Sequence, residues 1–286
     1  MIRPYIKLLR AVARGRWALP TFNTFDLLIT RAILKAGENQ RSPIVLEVSE
    51  RALQHGGGAP FLEAVRELAD QATIPVALHY DHGENTKVLK QALVLPFSSV
   101  MRAYHLGQTL LENITQTLEI VKLAKRQKIS VQGEVGHVTG PKDHWRMPIS
   151  WLTDPEQASR FVAETGVDSL AVSVGNRHGV AAGSVQLDWE RLLKLRECLE
   201  LPLVLHGGSG LRLANYARAI KGGIAVVNFD TDLRYAFGVT LRRNLNRQSE
   251  LIDPRLPLER AAAVVTKVVQ KKIFACQAQG RANKVH

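Results

Sequence analysis

Cysteine is almost missing from this chain: Cys198 and Cys276 are the only two in 286 residues, and they lie far apart. Two distant thiols exclude a disulfide framework and a thiolate zinc motif, and they point to a reducing, cytoplasmic compartment. Both are expected to be buried, inert thiols. Long hydrophobic runs are missing too. The longest are strand-sized, well short of a bilayer span, so no membrane partner is expected. The N-terminus alternates Arg3, Lys7, Arg10 and Arg14 with Leu8, Leu9, Ala11 and Val12. That pattern predicts an amphipathic helix and lacks the continuous apolar core of a signal peptide. Aromatic residues are scarce at 6%, and no stretch interleaves them with basic side chains. The net charge of +12 is therefore read as a scattered, solvated basic surface that also favours anionic substrates, and no specific nucleic-acid partner is expected.

What is present is a repeat of strand, polar turn and amphipathic helix. Apolar strand patterns cover 18–23, 43–49, 75–81, 98–103, 130–135, 169–174, 202–207 and 224–229. Helical patterns lie near 25–38, 60–72, 85–95, 109–128, 155–165, 188–199, 211–221 and 231–245. Eight alternating pairs in a chain of this length predict an α/β fold, a closed (β/α)8 barrel, as a single domain over 1–286. An open doubly wound sheet is the main competitor. It usually carries a Gly-rich turn after its first strand, and Thr21-Phe22-Asn23-Thr24-Phe25 is not one. Thr153-Asp154-Pro155-Glu156 reads as a helix start, and Gly166 as the stop of the same helix. An extra C-terminal helix is expected near 257–278, with a frayed tail at 280–286.

Three histidines stand at the ends of predicted strands: His82 in Leu78-His79-Tyr80-Asp81-His82, His178 before Gly179, and His206 before Gly207-Gly208-Ser209-Gly210. A lone histidine is usually a satisfied core residue. Three at equivalent strand ends favour a zinc site with an open fourth position. Asp81, a carboxylate beside His82, is expensive to bury for structure alone and is the catalytic candidate. His79 shares the face of Asp81 one layer deeper and is read as structural. Loops seven and eight, Gly207–Gly210 and Asn228-Phe229-Asp230-Thr231, have the hydroxyls and backbone donors of a phosphate site, and helix capping explains Asp230 and Thr231 equally well.

Together with Pro20-Thr21-Phe22-Asn23, Gly133-Glu134-Val135-Gly136, the stretch from Thr165 to Val172 and Val227–Arg234, these motifs resemble the class II, zinc-dependent ketose-bisphosphate aldolases, in the right order from about Gly15 to the C-terminal helix. The resemblance implies reversible cleavage of fructose- or tagatose-1,6-bisphosphate to dihydroxyacetone phosphate and an aldehyde such as glyceraldehyde 3-phosphate. It implies zinc on His82, His178 and His206, Glu134 as a candidate ligand of a second metal site, and Asp81 as the proton shuttle. Gly179, Gly207, Ser209 and Thr231 would hold phosphate, with Asn228 and Asp230 lining the site and Asn23 and Ser49 touching the substrate. The resemblance also allows a monovalent cation at the phosphate site and implies a homodimer or homotetramer.

The sequence departs from that pattern at two acidic positions, and also after Gly179, where the family's lysine is missing from Val180-Ala181-Ala182-Gly183, and at Arg177, where a small residue is usual. The family's strand-four aspartate is replaced in Val100-Met101-Arg102-Ala103-Tyr104, and no acidic residue occurs between Glu84 and Glu112. The glutamate of the family's mobile loop is missing from Thr139-Gly140-Pro141-Lys142-Asp143-His144, where Asp143, His137 or His144 are the substitutes at hand. Arg102 and Arg177 are candidate anion-binding charges. A non-catalytic or altered-specificity paralogue that binds a phosphorylated ligand is the alternative these losses keep open.

Overall fold

The computed structural model describes residues 1–13, 15–140, 148–179, 185–247 and 253–285. Eight parallel strands close on themselves: β1 Leu19–Asn23, β2 Ile44–Ser49, β3 Val76–Gly83, β4 Ser99–Arg102, β5 Ser130–Val135, β6 Ser169–Val172, β7 Leu203–Leu205 and β8 Ile224–Phe229. β8 pairs with β1, with Thr21 opposite Asn228, so the sheet has no free edge. Helices fall between the strands as the alternation predicts.

Local chemistry accounts for the boundaries. Asp154 caps Pro155–Thr165 by accepting from the Gln157 N–H at 2.9 Å, and Gly166 ends that helix in the left-handed conformation (φ 65°). Thr109 and Glu112 form a reciprocal capping box at Leu110–Arg126. The N-terminal helix, Tyr5–Ala13, buries Tyr5, Leu8, Leu9 and Val12, the face its spacing predicts. The C-terminal helix, Arg255–Ala275, packs chiefly on the helices Leu27–Gln40 and Thr231–Arg247.

Two expectations are corrected, and one short helix is added. The tail is not frayed: the N–H groups of Gly280 and Ala282 donate to Gln40 and Arg41 carbonyls at 2.9 Å, and Val285 is buried. Cys276 is buried as expected, but Cys198 is exposed at the end of Trp189–Cys198. A short helix, Glu50–His55, follows β2 directly, and its cap is Ser49, whose Oγ accepts from the Ala52 N–H. Among the described residues no helix is long and apolar enough to cross a membrane.

Candidate active site

The C-terminal ends of the strands open into a cavity of about 100 Å³. Asn23, Ser49, Asp81, His82, His178, His206, Gly207, Ser209, Asn228, Asp230 and Thr231 line it, together with Arg234. Residues more than two hundred positions apart thus meet at one mouth because parallel strands all end there.

His82, His178 and His206 each offer a ring nitrogen, and these nitrogens lie within 4.8 Å of one another. The ring centroids are 4.9 to 5.7 Å apart, crossed edge to face. Three imidazoles that avoid stacking and point their nitrogens at one spot fit a tetrahedral cation with one open position. Burial, then repulsion from His82, holds His206 well below the ordinary imidazole range, so it stays the neutral form that a metal requires.

Asp81 and His82 are consecutive, and strand alternation would put them on opposite faces. The backbone resolves this. His82 sits at φ +53°, a conformation rare for a residue with a side chain, and the β3–β4 register slips between Tyr80 and Gly83. The turn swings His82 back into the mouth beside Asp81, leaving Asp81 Oδ2 3.6 Å from His82 Nε2. Local strain at a functional group is where such conformations are found. Asn23 donates to the same Oδ2 at 2.8 Å.

Behind His206 stands a support that sequence reasoning missed. Gln132 lies 2.9 Å from its Nε2, Asn228 Nδ2 3.3 Å from the same atom, and Asn176 donates to its carbonyl at 3.0 Å. Gln132 was readable as the inward neighbour of Glu134 on β5; Asn176 carried no signal. Arg234 was also missed as a lining residue. It pairs with Asp230 at 2.5 Å, one helical turn away, and brings a guanidinium to the rim.

Loops seven and eight form the other wall. Gly207 has φ +65°, and a Cβ there would meet the Arg177 carbonyl oxygen at 2.3 Å, so only glycine fits. The following turn, Gly208–Gly210, places the Ser209 Oγ to accept from the Asp232 N–H at 3.2 Å. The Gly179 N–H donates to Thr231 Oγ1 at 3.2 Å, at the first residue of Thr231–Arg247. Thr231 and Asp230 thus line the cavity at the positive end of that helix, which favours an anion.

The β4–β5 side differs. Glu134 is buried, does not join the three-histidine cluster, and gives Oε2 to the Tyr104 N–H at 2.8 Å. Burial raises its pKa to about 7 against the opposing pull of His82. Arg102 does not face the cavity: its guanidinium binds the Ala103 carbonyl and Gln116 on the outer side of the sheet. Arg177 approaches through its backbone and its side chain does not line the cavity. His137 packs edge-on to Trp151 at 5.1 Å, outside the lining. Lys142, Asp143 and His144 lie outside the described residues. His79 is fully buried, hydrogen-bonded to Ser99 and stacked on Tyr5 at 5.6 Å.

Comparison with known proteins gives the same architecture an address. The family model described as fructose-bisphosphate aldolase class-II matches residues 3–281. The YdjI aldolase of Escherichia coli K12 superposes with a TM-score of 0.86 at 30% identity, covering 99% of this chain and 100% of that one. A candidate fructose-1,6-bisphosphate aldolase from Coccidioides immitis gives 0.86 at 26% identity over 98% of both chains. The fructose-bisphosphate aldolase of Campylobacter jejuni shares the fold, with a TM-score of 0.84 at 21% identity over 98% of this chain and 97% of that one.

Proposed function

The chain belongs to the class II fructose-bisphosphate aldolase family, and from that premise we propose that it is a metal-dependent aldolase acting on a phosphorylated ketose. The reaction is the reversible cleavage of a ketose 1,6-bisphosphate, of the fructose or tagatose series, to dihydroxyacetone phosphate and an aldehyde. The observation that carries this reading is the meeting of His82, His178 and His206 beside Asp81, with loops seven and eight forming the opposite wall.

Each residue then has a task. His82, His178 and His206 would hold a zinc ion, which supplies a Lewis acid for the substrate's ketone oxygen when bound. Asp81 takes, at Oδ2, the proton of the hydroxyl that becomes the aldehyde, and returns it in condensation. Asn23, on that same oxygen, fixes the carboxylate's orientation. Gly179, Gly207, Ser209 and Thr231 surround the phosphate, and the start of Thr231–Arg247 and Arg234 favour its charge. Gln132 and Asn228 hold the His206 ring in place from behind.

The test is retro-aldol cleavage of fructose and tagatose bisphosphates together with bound-metal analysis. EDTA-sensitive cleavage of one of the two sugars is the expected result. Metal-free protein that cleaves neither sinks the reading. The family also supports assembly as a homodimer or homotetramer, which light scattering on the purified chain reads directly.

A second reading rests on Ala103 and on the Tyr104–Glu134 contact, which leave the β4–β5 side without a free carboxylate at the cavity. A non-catalytic paralogue would gain thermal stability from dihydroxyacetone phosphate and turn nothing over. Steady cleavage abolished by Asp81→Ala rules it out.

A further inference from the structure

Beneath the three imidazoles lies a second cluster, Glu47, His79 and Asp81, each with a ligand atom within 4.8 Å of the other two. The strand register builds it. Glu47 on β2 sits opposite His79 on β3, and Asp81 stands two residues further along the same face. All three are at most 2% exposed. Their other sides are taken. Glu47 Oε1 accepts from Asn228 Nδ2 at 2.7 Å, Asp81 Oδ2 accepts from Asn23, and His79 Nδ1 is hydrogen-bonded to Ser99. One atom from each remains: Glu47 Oε2, His79 Nε2 and Asp81 Oδ1. These three are buried and have no hydrogen-bond partner among the described residues.

Two carboxylate oxygens and an imidazole nitrogen cannot satisfy one another. Whichever ring nitrogen carries the proton, at most one N–H faces two anionic oxygens. A shared proton could join the three only if they closed to hydrogen-bond distance, which no pair of them does here, and a bare buried acceptor is costly. A single divalent cation satisfies all three and neutralises both carboxylates.

We propose that Glu47, His79 and Asp81 bind a second divalent transition-metal ion, of the Mn²⁺ or Zn²⁺ class, in the barrel interior below the three-histidine centre. The donor set fits that class: imidazole with carboxylate suits these ions, whereas calcium takes six or more oxygens. Asp81 gives one oxygen to each level, Oδ1 downward and Oδ2 toward His82 and Asn23. Because Asp81 also lines the cavity, the mouth is the route of entry. Burial, then the charge of Asp81, pushes the Glu47 carboxyl above the ordinary carboxylate range, a penalty that a cation between the two removes.

The test counts ions rather than turnover, so its failure leaves the aldolase reading untouched. The full chain is dialysed against Zn²⁺ or Mn²⁺ alone, freed of excess, and analysed for metal per chain. Two ions are expected for the unaltered protein and one for Glu47→Gln, which keeps the oxygen that Asn228 uses and removes the charge. His178→Ala is expected to lose the upper ion and keep the lower. Crystals of the unaltered protein soaked in Mn²⁺ should show anomalous scattering among Glu47, His79 and Asp81, which covers the case of a variant that does not fold. One ion per chain at saturation, with no anomalous peak below Asp81, overturns the proposal and assigns the cluster to a shared proton.

Discussion

The two sides of the barrel mouth hold buried carboxylates in opposite states. Asp81 on β3 and Glu134 on β5 are both nearly inaccessible, and burial alone would raise both. Against that, the imidazoles of His82, His206 and His79 and the Asn23 amide hold Asp81 below the usual carboxylate range. For Glu134, burial and the charge of Asp81 outweigh His82, the Tyr104 N–H and Arg102, and it stays raised to about 7. The lesson is that burial does not set the role of a carboxylate here; its neighbours do. Asp81 is kept ionised and ready to take a proton. Glu134 is held as part of the wall.

The largest effect that tests this contrast comes from the histidines. His206→Ala removes one of the three clustered imidazoles and also the partner of Gln132. It should lose the bound ion under dialysis and reduce cleavage to background, measured by metal content and an aldehyde-coupled assay. Full activity with normal metal content would show that the ion sits elsewhere. Asp81→Asn comes next. It keeps an oxygen for Asn23 but cannot take the proton, so kcat should fall by about 10²–10⁴ with the histidine-bound ion retained. A loss confined to KM would place Asp81 in binding instead.

Much of the first side was legible in the sequence, and little of the second. His82 and His206 stood out because each ends a recognisable apolar strand, and His178 follows a third on its loop; parallel strands deliver their ends to one place. The turn at His82 was not legible: a left-handed residue without glycine gives no local signal. Side-chain parity on β4 was also hidden. Four apolar or mixed residues, Ser99–Arg102, contain too few alternations to tell which face is inward. Register supplies the answer, since Ser99 meets His79 inside and Arg102 therefore points out to Gln116. Glu47 escaped notice for a related reason. Within the apolar run of β2 it reads as one polar interruption, and only the closed sheet sets it against His79. The ordered tail depends on contacts with Gln40 and Arg41, about 240 residues away, which no local pattern encodes.

Parity also predicts what restoring the strand-four carboxylate would do. Ala103 shares the inward parity of Ser99 and is buried close to Tyr104, whose N–H is already committed to Glu134. In Ala103→Asp the new carboxylate enters a wall whose adjacent backbone donor, the Tyr104 N–H, is already taken by Glu134. The metal-free protein should lose on the order of 3 kcal/mol in denaturant unfolding. A neutral or stabilising result in the presence of chelator would mean that the β4–β5 side can accommodate a second charge as readily as the β3 side does.

The smallest effect probes Glu134 itself. Its folded carboxyl keeps a proton up to about pH 7, while the unfolded one releases it near 4.5. Across that window the folded state binds more protons, so this residue's contribution to stability falls as the pH rises. Glu134→Gln carries no such titration and still offers an oxygen to the Tyr104 N–H. Between pH 5.5 and pH 7, metal-free wild type should therefore lose about 1.6 kcal/mol more than the variant, the slope staying below about 1.4 kcal/mol per pH unit and falling to about half of that by pH 7. Unfolding curves at the two pH values give the difference, and titrating groups that do not interact with Glu134 cancel in the comparison. Parallel behaviour of the two proteins would mean that Glu134 is ionised throughout. The two carboxylates of the mouth would then differ in their partners but not in their charge.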